Sequence, residues 1–423
     1  MPLDTHDRQE LEERLAPYFD KNVSFERLAS GAIGPVAEAA RFDPRRARDK
    51  VLAAGGEEAG RYTRFAVHPL DNQWCFHSTV RPLWNEPRPD MAEQQAFGNL
   101  FLVSRIAARR PDEGVPLVAT RALPNDHLLD PNCHPIPVQI HRQSADLFGK
   151  AHSITANLSN VARLWLKSLD WDDPDGGYAA ASGPWLHALA IAYSPAWLHD
   201  NHKGILAGWP RVPLPSKRAK LDKSISLGER VAALLDPDQQ VTGITAGKIS
   251  PVFLSVGSLT RDGGGQLTAA DLVLTAGWGH GGKGSPVMPG QGKTTQLAAY
   301  DERVVAALEI EAVQLGLPLV TLTERLGPPV NLWLNDKAYW ASVPSTVWNF
   351  SIGGYPVIKK WLSYREEGVL GRPMTKDEAR NVTNLIRRLT ALVLLGPALD
   401  ANYQACRDDA ADWSALGRET LTR

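Results

Sequence analysis

The sequence has few of the features that mark secreted or membrane proteins. Its three cysteines lie far apart and form no CxxC pair, which argues against a disulfide framework or a zinc ribbon. The longest apolar run, Leu389 to Leu399, is far shorter than the roughly 20 residues of a membrane helix. The N-terminus, MPLDTHDRQELEERL, is charged from its start and so is not a secretory signal. We therefore expect a cytosolic protein.

The chain also lacks an excess of charge of either sign. Its 423 residues include 46 Lys or Arg and 47 Asp or Glu, a net charge of −1, which argues against a protein whose whole surface attracts nucleic acid. The charge is nevertheless segregated along the chain. Residues 203–223 hold six Lys or Arg against one Asp, and residues 355–388 hold eight against four acids. A local basic face therefore remains compatible with the composition.

Familiar catalytic patterns are missing. There is no (N/D)-P-P-(Y/F/W) loop of an amino-methylating enzyme, no (D/E)-x-K nuclease triplet, no G-x-S-x-G elbow and no H-E-x-x-H helix. His127, Cys133, His134 and His141 lie close in sequence, but their spacing fits no familiar zinc finger. We expect no catalytic residue, metal or cofactor in this chain.

Two glycine-rich stretches suggest an alternative, a nucleotide-binding enzyme that uses the loop 277–295. Residues 277–282, GWGHGG, satisfy G-x-G-x-x-G, but the following KGSPVMPGQGK cannot open the helix that a dinucleotide site requires. Residues 290–295, GQGKTT, resemble a P-loop, yet Val287 stands where that pattern needs Gly. A further possibility is a structural subunit that bridges other proteins and never touches DNA.

The hydrophobic pattern predicts an α+β fold with several lobes. Residues 1–60 are expected to form a helical coupling segment, 61–215 a first recognition lobe with a β-rich start, and 216–423 a second lobe ending in helices. The Pro-rich residues 209–215 are expected to form an extended connector.

Particular elements follow from local signals. Asp7 with Glu10 and Thr375 with Glu378 have the spacing of helix capping boxes. Three apolar runs are expected to be strands: 251–256, 270–276 and 330–334.

Several spaced segments carry a family resemblance. Residues 41–52, RFDPRRARDKVL, and 65–76, FAVHPLDNQWCF, are followed by Arg88-Pro89 with Phe97-Gly98-Asn99. Tyr193-Ser194-Pro195 then precedes WPRVP at 209–213, and the last segment contains VWNFSIGGYPVIKKWL at 347–362. In this order they resemble the C-terminal specificity region of type ISP restriction-modification enzymes. These are long bacterial polypeptides that join a nuclease, a translocating ATPase, an adenine-specific DNA methyltransferase and a target recognition domain.

This resemblance implies a DNA sequence-recognition module of a restriction-modification or phage-defence system. It would bind double-stranded DNA and act with an adenine-specific methyltransferase, whose S-adenosylmethionine would be bound by that partner. The chain departs from the family at His68 and Gln73, where the family has arginines. It also lacks the methylase core that precedes these segments in the family, so we expect a separate subunit or a fragment.

Residues for DNA contact and for the scaffold can be named on this basis. Lys and Arg anchor phosphates, and we expect Lys359 and Lys360 to lie on the solvent face of a helix. The candidate DNA-binding residues are Arg211, Lys217, Arg218, Lys220, Lys223, Lys359, Lys360, Arg365, Arg387 and Arg388. The family scaffold residues are Trp74, Asn99, Pro210, Pro213, Trp348, Gly353, Gly354, Tyr355 and Trp361.

Overall fold

The structure is a computed structural model that describes residues 4–38, 42–84, 87–129, 132–146, 149–280 and 288–412. The described residues form both helices and short strands, gathered into strand-rich and helical regions, which confirms the α+β prediction.

The N-terminal segment is mainly helical. Asp7 caps the first helix by accepting from the Gln9 and Glu10 amides, but Glu10 accepts from Thr5 Oγ1 rather than closing a capping box, so that prediction is wrong in its second half. The buried Arg48 donates to main-chain carbonyls of the first helix and the loop after it. The elements are β1 Asp4–Thr5, α1 Arg8–Phe19, α2 Phe25–Ser30 and α3 Pro44–Ala53.

The next region is rich in strands, as predicted. Its elements are β2 Gly60–His68, β3 Asp71–Ser78, α4 Pro89–Ala96, β4 Phe101–Ser104, β5 Leu117–Thr120, β6 Leu123–Pro124, β7 His134–Pro137, β8 Gln139–Asp146 and β9 Gly149–Ala156. The antiparallel pair β2–β3 is the centre of a sheet of order β1-β3-β2-β6. A second sheet has the order β5-β4-β7, and β8 pairs with β9 alone.

A helical layer follows, with α5 Asn160–Ser168, α6 Tyr178–Ala192, α7 Pro195–Ala207 and α8 Arg218–Leu235. Helices α6 and α8 cross closely because Gly228 has no side chain: a Cβ there would lie 2.0 Å from the Leu186 carbonyl oxygen. Of the connector predicted at 209–215, residues 209–214 belong to no helix or strand and Pro215 forms an isolated bridge to Ala410.

The remaining chain forms a mixed region around one long helix. Its elements are α9 Pro251–Ser255, β10 Ser258–Arg261, β11 Gly279–His280, β12 Met288–Pro289, β13 Thr294–Gln296, α10 Glu302–Leu315, α11 Leu319–Leu326, β14 Pro329–Trp333, β15 Ala338–Pro344, α12 Ser345–Trp348, β16 Ser351–Ile352, β17 Tyr355–Pro356, α13 Val357–Ser363, α14 Glu367–Leu370 and α15 Lys376–Arg407. Strands β10, β15, β14 and β13 form a sheet in that order.

Two of the three predicted strands in this region are wrong. Residues 251–255 form helix α9, because Pro251 occupies the first helical position, where proline is favoured. Residues 269–272 form a short 3₁₀ turn, and no strand follows up to residue 276. The third prediction is confirmed by β14.

Helix α15 organises the C-terminal half. The predicted capping box is confirmed: Thr375 Oγ1 accepts from the Glu378 amide at 3.1 Å, and the Glu378 carboxylate accepts from the Thr375 amide at 2.7 Å. The helix is long and apolar enough to cross a membrane by length and composition, but 72% of its most apolar window is buried. It is therefore a core helix, packed against α6, α7, α8 and α11.

The core is continuous across most of the chain. The largest cluster of buried apolar side chains extends from Ala66 to Cys406, while Leu11, Leu15 and Tyr18 belong to a smaller N-terminal cluster. The division at residues 60 and 215 stays a prediction.

Candidate nucleic-acid interface

A cleft of about 470 Å³ opens where three distant parts of the chain meet. The β2–β3 hairpin forms one wall, the loop after α8 the second and α15 the third. Its polar lining consists of His6, Arg64, Asn72, Asp238, Asn381, Asn384 and Arg388. Two scaffold residues named from the sequence, Trp74 and Trp361, also line it.

The hairpin wall is held to the loop by a fixed polar cluster. Arg64 and Trp74 face each other in the β2–β3 register, and the Arg64 guanidinium lies 5.3 Å from the Trp74 ring centroid. Arg64 Nε donates to Asp238 Oδ2 at 2.9 Å, and Asn72 Nδ2 donates to the same oxygen at 2.9 Å. The Asp238 carboxylate is thus neutralised by its own chain.

The helix wall presents side-chain amides. Asn381 and Asn384 are three residues apart on α15 and so lie on one face. Asn381 is exposed and Asn384 is half-buried. Amide side chains of this kind can pair with the N6 and N7 edge of adenine.

A buried ion pair lies behind the cleft. Arg365 donates to both carboxylate oxygens of Asp71 at 2.7 and 2.8 Å, and the two side chains are 3% and 1% exposed. Burial alone would raise the pKa of Asp71, but the Arg365 guanidinium outweighs it and lowers that pKa to about 2. Burial, aided by Arg365, lowers the pKa of the neighbouring His6 to about 4. Arg365 also packs over the Trp361 ring at 4.0 Å.

Arg388 and Arg387 satisfy main-chain carbonyls instead of facing solvent. Arg388 is buried and donates to Ala233 O at 2.8 Å and to Leu234 O at the end of α8, and to Gln239 O in the loop that follows. Arg387 is half-buried and donates to Phe253 O at 2.7 Å. The α15 face that carries these arginines therefore packs against α8 and α9.

The prediction that Lys360 lies on a solvent face is wrong. Its side chain is 6% exposed, with the ammonium 4.9 Å from the Tyr355 ring and 5.0 Å from the Tyr364 ring. His68 packs on the same two tyrosines, and its burial lowers its pKa to about 3. Lys359 is half-buried. The burial of Lys360, Arg365 and Arg388 argues against phosphate contacts by these three cations.

The other basic cluster surrounds the start of α8. Lys217 and Lys220 lie 3.5 and 3.3 Å from the Asp409 carboxylate, and Arg218 lies within 4.0 Å of Asp172 and Asp222. Lys223 is exposed, and no carboxylate among the described residues pairs with it. Helix α8 has 18 residues, so at 1.5 Å per residue this cluster lies about 27 Å from the cleft at the other end. Arg211 is exposed in the connector before it.

The family scaffold residues join segments that are distant in sequence. Asn99 exchanges two hydrogen bonds with the Gln139 main chain, at 2.6 and 3.2 Å. The Pro213 carbonyl accepts from His187 Nε2 at 2.9 Å, and Trp348 packs edge-on against Trp278 at 5.0 Å. The half-buried Pro210 and the buried Trp361 belong to the same set.

The turn at Gly353-Gly354 requires glycine at its first position. Gly353 has φ of 54°, and a Cβ there would lie 2.5 Å from the Leu129 side chain. Gly354 has φ of 91°. The turn joins β16 to β17, the two-residue strand Tyr355–Pro356, and α13 begins immediately after it. The glycine pair thus lets a short strand turn directly into the strand that leads to helix α13.

The glycine-rich loop uses its amides internally. Gly277 N and Trp278 N donate to the Glu366 carboxylate at 2.8 and 2.9 Å, and Lys293 pairs with Asp336 at 2.8 Å. Gly281 and Gly282 of the dinucleotide motif lie outside the described residues. A carboxylate of the chain itself thus occupies the donors that a phosphate would need, so the nucleotide-binding alternative has no support.

Several cleft residues were missed from the sequence. Arg64, Asn72 and Asp238 carry no motif, and only folding brings them together. The pair Asn381 and Asn384 left a signal, since two amides three residues apart share one helix face. Around the cleft, the residues predicted from the sequence hold the structure together, whereas the amide side chains of Asn381 and Asn384 were not among the predicted DNA-binding residues.

Comparison with known proteins gives one family. The family model "Type ISP C-terminal specificity domain" matches residues 26–243 and 328–390. A search of curated proteins finds no match.

Three solved structures resemble the chain at low identity. One is the DrdV–DNA complex, with 13% identity and a TM-score of 0.52, covering 94% of this chain and 34% of that one. A second is the ATP-dependent type ISP restriction-modification enzyme LlaBIII bound to DNA, with 10% identity and a TM-score of 0.49. It covers 95% of this chain and 22% of that one. The third is a nuclease-deletion mutant of the type ISP enzyme LlaGI in complex with a DNA substrate mimic, with 10% identity and a TM-score of 0.44. It covers 95% of this chain and 31% of that one. The chain thus spans 22% to 34% of their lengths, and the DrdV likeness is one of fold.

Proposed function

The chain belongs to the family of type ISP C-terminal specificity domains, and from this membership we propose that it reads the target sequence for an adenine-specific DNA methyltransferase. It binds double-stranded DNA in the cytoplasm and directs the methyltransferase, as a subunit or a domain, to its site. S-adenosylmethionine binds to that partner and not to this chain. The family match, which covers well over half of the sequence, is the observation that carries this proposal.

The division of labour has a chemical reason. Methylation of an adenine requires the base to leave the duplex, and the pocket that receives a single base cannot choose one site among the many in a genome. A separate surface must supply phosphate contacts for position and base-edge contacts for sequence.

The two ends of α8 offer both kinds of contact. Arg211, Lys217, Arg218 and Lys223 are exposed and suit phosphate contacts at its start. The cleft at its end offers Asn381 and Asn384, whose amides suit base edges. We assign phosphate anchoring to the first set and base reading to the second.

Methylation mapping tests the proposal directly. The chain is expressed with and without the methyltransferase core of a type ISP enzyme, and methylated adenines are mapped by sequencing. We expect a defined motif only when both proteins are present. A motif that the methyltransferase produces alone would overturn the proposal, as would the absence of any motif with the pair.

The salt dependence of DNA binding tests the phosphate assignment. Each phosphate contact contributes about −0.9 to the slope of log K against log salt concentration, so removing one contact makes the slope shallower by about that amount. Lys223→Gln is therefore expected to lower the slope by about one, while the ion-paired Lys217→Gln lowers it less. Lys50→Gln, an exposed cation on α3, is the matched control. A quadruple neutralisation of Lys217, Arg218, Lys220 and Lys223 that leaves the slope unchanged would remove this cluster from the DNA interface.

A further inference from the structure

Trp209 is an exposed tryptophan in the connector between α7 and α8. It is 42% exposed and is the one aromatic residue among the large hydrophobic residues that stay exposed in the described part of the chain. His134 of β7 lies beside its ring, with the ring centroids 5.3 Å apart. Tryptophan is highly buried on average, so an exposed indole that packs on a neighbour points to a binding role.

The loop of residues 105–113, which follows β4, lies next to Trp209. Ser104 at the end of β4 pairs with His134 in the sheet register, so the loop leaves the sheet at the edge where Trp209 packs. The Ala108 amide donates to the Ile205 carbonyl of α7 at 2.9 Å, and Ala108 and Pro210 line the same small cavity. This loop and the end of α7 thus form one exposed surface. We call it the Trp209 surface, and its exposed residues are Ile106, Arg109, Arg110, Lys203, Trp209 and Arg211.

The loop is fixed by a buried ion pair. Arg105 pairs with Glu113, and the two side chains are 7% and 3% exposed. The Glu113 carboxylate also accepts from the amides of Arg109 and Arg110, both at 3.1 Å. These bonds hold the loop backbone while the side chains of Arg109 and Arg110 remain exposed. A surface that is ordered in advance loses little conformational freedom when it binds a partner.

The charges of the Trp209 surface favour an anionic partner. Residues 105–113 and 199–211 together contain five cations and three carboxylates. Two of the carboxylates are neutralised by arginines, Glu113 by Arg105 and Asp200 by Arg407. The third, Asp112, lies 4.0 Å from Arg110. Within the described ranges, three exposed cations of this surface have no carboxylate partner: Arg109, Lys203 and Arg211.

An exposed indole among cations suits an unstacked nucleic-acid base. Aromatic side chains stack on such bases, and neighbouring cations contact the phosphates on either side. A closed duplex offers no free base face. Methylation of adenine, however, requires that the base leave the duplex, which opens a gap in the stack. Proteins that distort DNA commonly insert an apolar side chain into such an opening.

We propose that Trp209 stacks on a base that is exposed when the target adenine leaves the duplex, while Arg109, Lys203 and Arg211 contact the adjoining phosphates. The inference deepens the proposed function and rests on it. Every base has a face for stacking, so Trp209 holds the opened DNA and reads no sequence. The connector that carries Trp209 precedes α8, and the cleft assigned to base reading lies at the other end of that helix.

Fluorescence anisotropy with two synthetic duplexes tests the role of Trp209. In one duplex a single adenine faces an abasic site, and in the other the same sequence is fully paired. We expect the full chain to bind the first roughly 5- to 100-fold more tightly, the range for one base stacked on an aromatic side chain. Trp209→Ala should bind both equally, and Trp209→Phe should keep most of the preference. Trp333→Ala, at a half-buried tryptophan beside Lys293, is the matched control and keeps the preference.

A spectroscopic readout reports stacking itself. With 2-aminopurine in place of the unpaired adenine, stacking on the indole should quench its fluorescence in the wild-type complex and not in the Trp209→Ala complex. Arg109→Gln with Lys203→Gln should weaken binding of both duplexes alike and make the salt slope shallower by about two. An unchanged slope would remove these cations from the interface.

The outcomes separate this inference from the proposed function. A wild-type chain that binds both duplexes equally, or a Trp209→Ala variant that keeps the preference with a native circular dichroism spectrum, overturns the role of Trp209 alone. If Trp209→Ala does not fold, the wild-type complex decides, because a complex without quenching also overturns that role. A wild-type chain that binds neither duplex contradicts the proposed function itself.

Discussion

The buried pair of Arg365 and Asp71 gives the sharpest prediction about stability. Arg365→Met leaves the Asp71 carboxylate 1% exposed with its main charge partner removed. Removal of one partner of such a pair costs about 3 to 5 kcal/mol, because the remaining charge is neither solvated nor compensated. We expect the free energy of unfolding, measured by urea denaturation with tryptophan fluorescence at pH 7, to fall by that amount.

The double variant Arg365→Met with Asp71→Leu is the control. Replacing a buried pair by apolar side chains of similar volume is often neutral, so most of the stability should return. The pH dependence adds a second check. The pKa of Asp71 lies below its unfolded value, so the pair stabilises fully above about pH 4, and this is lost as the pH falls through about 2. A single variant as stable as wild type, or a double variant as unstable as the single, would contradict this prediction.

Two further predictions concern histidine and glycine. Burial lowers the pKa of His187 to about 4, so the folded state resists protonation of this residue. The free energy of unfolding therefore falls as the pH drops below about 6.5, by about 1.4 kcal/mol per pH unit for this residue. His187→Gln should remove that part of the slope in denaturation series between about pH 7 and 5, with the exposed His199→Gln as control; an unchanged slope would contradict it. Gly353→Ala should cost about 2 to 5 kcal/mol, from backbone strain of about 1 to 2 and a clash with Leu129. Gly98→Ala, with φ of 74° and open space around its Cβ, should show the strain alone, and equal melting temperatures for the two variants would refute the clash.

Local signals predicted local structure well. Thr375 with Glu378 places the start of α15, because a capping box is a contact within four residues. The errors fall on short apolar runs such as 251–256. A buried helix and a buried strand cannot be told apart there by periodicity, and the proline at the first helical position decided the outcome.

The site was harder to predict because exposure is a tertiary property. Helical spacing predicts Lys360 on a solvent face, yet α13 is buried on almost every side and Tyr355 and Tyr364 enclose the ammonium. Arg388 lies on α15 where the end of α8 happens to need donors. Neither the burial of Lys360 nor that of Arg388 can be predicted from the sequence immediately around the residue.

Long-range contacts also made the family visible in a sequence whose proposed DNA contacts were not visible. Asp71 lies in the strand segment of the family and Arg365 follows its Gly-Gly-Tyr segment, and their hydrogen bonds join residues 294 positions apart. Asn99 and Pro213 likewise bridge distant main chain. Side chains that hold segments together can change little without loss of the fold, so they form a pattern that can be recognised. Side chains that read DNA must differ between proteins with different targets. A family pattern therefore identifies the scaffold, while the proposed base-reading residues Asn381 and Asn384 had to be found in the structure.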